Sequence, residues 1–140
     1  MSNLIIEDLK DSILKITLNN PTEQNTLSLE FINDLKKIFE NADSNDEIKV
    51  IILSSSGKVF SAGHNLKEIQ SHRQDKDQGL QFFKDLINSC SDLMLKITNN
   101  SKPVIAEVNG IATAAGCQLV ASCDLAYASQ VSKFATPGVN

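Results

Sequence analysis

Two stretches of small residues, Ser61-Ala-Gly-His-Asn65 and Thr113-Ala-Ala-Gly-Cys117, constrain this chain's fold more than any other feature. Each follows a run of strand-like composition and leads into a helical pattern. A strand that passes straight into a helix is the joint of an α/β fold. It also exposes the first N–H groups of the helix, which have no partners inside it. Small side chains at the joint let another backbone, or a ligand, come close. Tight packing and ligand approach are both consistent with that pattern.

The remaining sequence supplies the strands and helices that such joints connect. Leu4–Lys10 and Ser12–Asn19 read as two strands joined in a hairpin through Lys10-Asp-Ser, and Asn19-Asn-Pro-Thr marks a turn. Ser28 is placed to cap a helix whose apolar positions Phe31, Ile32, Leu35, Ile38 and Phe39 follow a 3.6-residue period. Lys49-Val-Ile-Ile-Leu53 has the continuous apolar character of a central strand covered on both faces. On the longest predicted helix, Leu80, Phe83, Ile87, Cys90, Met94 and Ile97 form one apolar stripe. Pro103 introduces a strand over Val104–Val108, Asn109-Gly110 turns the chain into the second small stretch, and Asp124–Ala128 reads as a last strand. No linker divides the 140 residues, so one domain over 1–140 is expected.

Charge and cysteine content narrow the function. Thirteen Lys and Arg against seventeen Asp and Glu give a net charge of −4. That balance excludes a general nucleic-acid binder, which needs clustered cations. No apolar run is long enough for a membrane span, so no membrane partner is expected. Cys90, Cys117 and Cys123 form no CxxC pair, which leaves neither a disulfide framework nor a metal site to predict. The first residues, Met-Ser-Asn-Leu-Ile-Ile-Glu-Asp, carry neither a signal nor a transit pattern, and a cytoplasmic location is expected.

If the two turns meet, one N–H from each would hold a thioester carbonyl oxygen as it gains negative charge. His64 stands in the first turn, where its backbone is enough for that role and its imidazole is a second candidate. Glu68 reads as helix surface, Glu107 as a strand residue with a partner, and His72 as solvated. A serine-protease reading with similar donors would need a nucleophile at the second turn. Ala114, Ala115 and Gly116 exclude it.

The motifs Asn19-Asn-Pro-Thr-Glu-Gln-Asn-Thr-Leu27, Phe60-Ser-Ala-Gly-His-Asn-Leu-Lys-Glu68, Lys102-Pro-Val-Ile-Ala106 and Asn109-Gly-Ile-Ala-Thr-Ala-Ala-Gly-Cys-Gln-Leu119 occur in a fixed order. Asp124-Leu-Ala-Tyr-Ala128 and Phe134-Ala-Thr-Pro-Gly-Val139 continue it. Together they resemble the crotonase, or enoyl-CoA hydratase/isomerase, superfamily over nearly the whole chain. Within it they are most similar to the enoyl-CoA hydratase domain-containing subgroup.

The resemblance implies a spiral of ββα units, an acyl-CoA ligand, and assembly into homotrimers or hexamers. It also implies that the chain is the N-terminal portion of a longer domain, without the trimerisation helices. Coenzyme A enters as part of the substrate, and no cofactor is bound permanently. By motif, the oxyanion donors are the N–H groups of His64 and Ala115. Backbone near Ala62 and Leu66 would approach the adenine, and Lys67 would neighbour a phosphate. The two glutamates that typical hydratases use as acid and base fall at Gln118 and Gly138. Neither residue moves a proton near neutral pH. Asn20 and Thr22, flanking Pro21, replace the usual basic residues of the first motif.

Overall fold

A computed structural model describes residues 4–138; Met1–Asn3 of the N-terminal reading, Val139 of the last motif and the final residue lie outside the described residues. The first two strands, β1 (Ile5–Lys10) and β2 (Ile13–Leu18), form the expected antiparallel hairpin. Asp11 and Ser12 connect them with φ of 51° and 64°, the left-handed pair that a tight two-residue turn requires. Helix α1 (Leu29–Ser44) begins at the expected cap, where the Phe31 N–H donates to Ser28 Oγ at 3.1 Å.

From there the chain repeats one manoeuvre. Strand β3 (Val50–Ser55) joins a first sheet, β4 (Val59–Ser61) joins a second, and α2 (Leu66–Ser71) and α3 (Leu80–Thr98) return the chain. Strand β5 (Val104–Val108), β6 (Ile111–Thr113) and α4 (Ala115–Ser122) do the same, and β7 (Leu125–Ala128) with β8 (Lys133–Ala135) begins a third round. The first sheet runs β1-β2-β3-β5-β7 and is parallel from β2 onward; the second runs β4-β6-β8 and is parallel throughout. This is the spiral of ββα units in an α/β fold.

The core lies between the helices and one face of the first sheet. Leu14, Ile16 and Leu18 of β2, Ile51 and Leu53 of β3, and Val104 and Ala106 of β5 are buried there against Phe31, Leu35, Phe39, Leu93 and Ile97. The expectation that β3 is covered on both faces is corrected. Val50 and Ile52 point away from the helices and are only half-buried. That outer face carries the Lys15–Glu107 ion pair at 3.0 Å, so Glu107 has the partner expected for it.

The stripe on α3 is also corrected. Its buried residues are Leu86, Cys90, Leu93, Met94 and Ile97, while Leu80, Phe83 and Ile87 are exposed. The cause is the register of α1 against α3. Asn33 meets Ser89, Lys36 meets Asp92, and Glu40 meets Lys96, a constant spacing along two parallel helices. Carried back, the start of α1 falls level with Asp85, so Leu80 and Phe83 project beyond it. The first turn of α3 is held instead by Asp77, whose carboxylate accepts from the Gly79 and Gln81 N–H groups at 3.0 and 2.8 Å.

Candidate functional site

The first small-residue turn is held by the segment before α1. The Ala62 N–H donates to the Gln24 carbonyl at 3.1 Å, the Leu27 N–H to Gly63 at 2.8 Å, and the Asn65 N–H to Leu27 at 3.1 Å. These bonds make a short parallel bridge between Leu27 and His64. Gly63 sits at φ 89°, a conformation that resists any side chain. Underneath, Asn25 and Ser61 are fully buried. The Asn25 side chain accepts from the Asn20 N–H at 2.7 Å and donates to the Ser56 and Val59 carbonyls at 2.9 and 2.8 Å. The Ser61 hydroxyl donates to the Asn25 carbonyl at 2.9 Å.

The reading of this turn as a source of free helix-start N–H groups is narrowed. Helix α2 is short, and the Asn65 side chain already accepts from Lys67 and Glu68 N–H at 3.1 and 3.2 Å. The Leu66 N–H that opens α2 and, just before the cap, the His64 N–H make no hydrogen bond among the described residues. Glu68 is no idle surface residue either, because its carboxylate accepts from the Leu29 N–H at 3.1 Å and fixes the start of α1.

At the second turn, the Ala114 N–H donates to the Ala135 carbonyl of β8 at 2.9 Å. Ala114 itself sits at φ 52° and ψ −125°, a strained conformation for a residue with a Cβ. Helix α4 then starts at Ala115, whose N–H likewise has no acceptor among the described residues.

The two turns are in contact. A methyl group placed on Gly63 would sit 2.9 Å from Ala114 Cβ and 3.2 Å from the Ala115 nitrogen. One placed on Gly116 would collide with the Ser61 carbonyl. The glycines are therefore what brings the His64 and Ala115 backbones together.

A cavity opens on each side of this contact. One, of about 370 Å³, is lined by Thr22, Glu23, Gln24, Thr26, Ala62, His64, Asn65, Leu66 and Lys67. Ala62, His64, Leu66 and Lys67, all from the one motif singled out in the sequence, share this wall. The Lys67 ammonium is held by Glu23 at 3.1 Å. Within this wall, His64 Nε2 is buried without a partner, and burial pulls the imidazole pKa below its ordinary value.

The other cavity, of about 450 Å³, is lined by Ala114, Cys117, Gln118, Ala121, Thr136 and Gly138. Gln118 and Gly138, far apart in sequence, meet there, and among the described residues no carboxylate lines it. His72 lies at the surface, as expected, with its ring stacked on Phe82 at 3.8 Å and Nδ1 2.7 Å from Asp75, away from both turns. Among the described residues, no group of His, Cys, Asp and Glu is arranged to hold a metal ion, and no helix is long and apolar enough to cross a membrane.

The sequence reading missed the parts that Asn25 and Thr26 play in this site. A signal was present in the buried-type polar pair Asn25-Thr26 set between a turn and Leu27.

Comparison with known proteins adds four findings. The family model described as Enoyl-CoA hydratase/isomerase matches residues 8–140. The human enoyl-CoA hydratase domain-containing protein 3, mitochondrial, is 52% identical over 131 residues, covering 93% of this chain and 41% of its own length. The Danio rerio protein of the same name is 49% identical over 140 residues, covering 99% and 46%. The crystal structure of the human protein superposes with a TM-score of 0.88 at 46% identity, over 98% of this chain and 52% of that one. The chain thus spans about half the length of the relatives it matches.

The names of these relatives place them in mitochondria, which overturns the cytoplasmic expectation. The error has a physical root. A compartment is addressed by segments the folded domain does not need, so domain residues do not report it.

Proposed function

Because this chain belongs to the enoyl-CoA hydratase/isomerase family, we propose that it binds acyl-CoA thioesters with the carbonyl oxygen between the His64 and Ala115 N–H groups. One observation carries the reading. Gly63 and Ala114 bring the two backbones into contact, and both N–H groups lack acceptors among the described residues. Fixed backbone donors of this kind stabilise developing oxyanions without reorganising. Coenzyme A belongs to the substrate in this reading, and its nucleotide end lies along Ala62, Leu66 and Lys67. No other cofactor is called for.

Gln118 and Gly138 favour binding, or chemistry that relies on polarising the thioester, over efficient water addition. Hydration needs a base and an acid at the acyl chain, and among the described residues the cavity that holds these two has no carboxylate. A non-catalytic acyl-CoA-binding or regulatory subunit is the second reading, favoured by the same pair. Homotrimers or hexamers are the proposed assembly of the whole protein.

Thermal melting tests the binding claim, since a ligand that binds only the folded state raises the midpoint by mass action. Acetyl-CoA and crotonyl-CoA are expected to shift it upward. An unmoved midpoint at saturating concentrations of both would sink the proposal.

A further inference from the structure

Burying a polar atom without a hydrogen bond is costly, and such atoms are rare enough that each needs a physical account. Among the described residues, Thr26 Oγ1 and His64 Nε2 are both buried and unpartnered. They belong to separate segments, yet both residues line the same cavity of about 370 Å³. The Leu27–His64 bridge ties the two segments together. Both side chains thus belong to the wall that a ligand in this cavity would touch.

We propose that the neutral imidazole of His64 and the hydroxyl of Thr26 are specificity-determining groups of this cavity, reading neutral hydrogen-bonding groups of the bound thioester ligand. The inference rests on the acyl-CoA reading and adds side-chain recognition to a site otherwise built from backbone. The charged neighbours support a neutral His64. Glu23 and Lys67, the ionic residues of the lining, are committed to each other at 3.1 Å. Glu68 is engaged by the Leu29 N–H. The second turn contributes Ala114, Ala115 and Gly116, none of which titrates. Among the described residues, no carboxylate is hydrogen-bonded to the imidazole, and burial disfavours its charge.

Isothermal titration of acetyl-CoA into the 140-residue chain between pH 7.5 and 5.0 tests this, with His64→Gln and Thr26→Val alongside. Titration of the ligand's own phosphate is common to all three proteins and cancels in their differences. Wild-type binding is expected to weaken by at least about threefold more than that of His64→Gln on acidification, the scale of one lost hydrogen bond. At pH 7.5, Thr26→Val is expected to bind about threefold to tenfold more weakly than wild type. If His64→Gln does not fold, His64→Asn takes its place in the pH comparison, and Thr26→Val is read independently. Equal pH dependence in wild type and His64→Gln, or wild-type binding that tightens in acid, would overturn the inference while leaving thioester binding intact. Absence of binding at every pH would overturn both.

Discussion

A methyl group on Gly63 would stand 2.9 Å from Ala114 Cβ, so the two strand-to-helix turns approach as closely as their side chains permit. Gly63→Ala therefore meets both a steric block and a backbone at φ 89°. The cost is expected to be about 2 kcal/mol or more of stability. Acyl-CoA binding should fall as well, because relief of the clash separates the His64 and Ala115 N–H groups. Thermal melting with and without acetyl-CoA measures both effects. An unchanged midpoint and an unchanged ligand shift would mean that the contact does not set the site.

Burial of His64 couples stability to pH. Its folded pKa lies below the ordinary value of 6.5, so the unfolded chain binds the proton more readily. The stability present above pH 6.5 is therefore expected to drain as pH falls through 6.5 toward the depressed folded value. Melting midpoints from pH 8 to 5 should drop more steeply for wild type than for His64→Gln. Parallel profiles would show that the imidazole is solvated.

Hydration of crotonyl-CoA is expected to be very slow or absent. Each missing acid or base commonly costs about a hundred- to ten-thousand-fold, and in the proposed reading Gln118 and Gly138 occupy the acid and base positions. Space for a replacement exists at the second, where an added Cβ meets nothing within 4 Å. Loss of the enoyl absorbance, followed for wild type and for Gln118→Glu with Gly138→Glu, is the check. Rapid turnover by the unmodified chain would show that other groups carry the protons.

Edges of both sheets are open at β7 and β8, whose residues are exposed throughout. Tyr127 and Val131 are each 69% exposed, and Phe134 is 48% exposed. Unpaired edges and apolar surface favour association. Sedimentation of the chain alone should give species larger than a monomer. A monodisperse monomer with strongly protected amides through Val104–Ala128 would contradict this.

How much of this was legible in the sequence depended on how local each signal was. The hairpin, the Ser28 cap and the strands at Val50 and Val104 rest on short-range chemistry and were readable. The three-residue strands β4, β6 and β8 were not, because so short a run shows no periodicity, and two of them flank the small-residue turns. On α3 the period was right but the face was partly wrong, since the length of its neighbour α1 decides what is covered. Glu68 looked idle because its acceptor role belongs to a helix that starts 39 residues earlier. Asn25 shows the same limit: its three side-chain bonds reach Asn20, Ser56 and Val59, and only the fold brings the latter two within range.

The central claim is that a thioester carbonyl lies between two backbone N–H groups, and isotope-edited infrared spectroscopy reads that carbonyl directly. Acetyl-CoA labelled with carbon-13 at the thioester carbonyl would be bound to the chain and compared with the same ligand free in solution. Two fixed donors polarise the C=O bond, so the labelled band is expected to move to lower frequency on binding. With Gly63→Ala the displacement should shrink. A bound ligand whose labelled band stays at its solution frequency would place the carbonyl elsewhere and contradict the account.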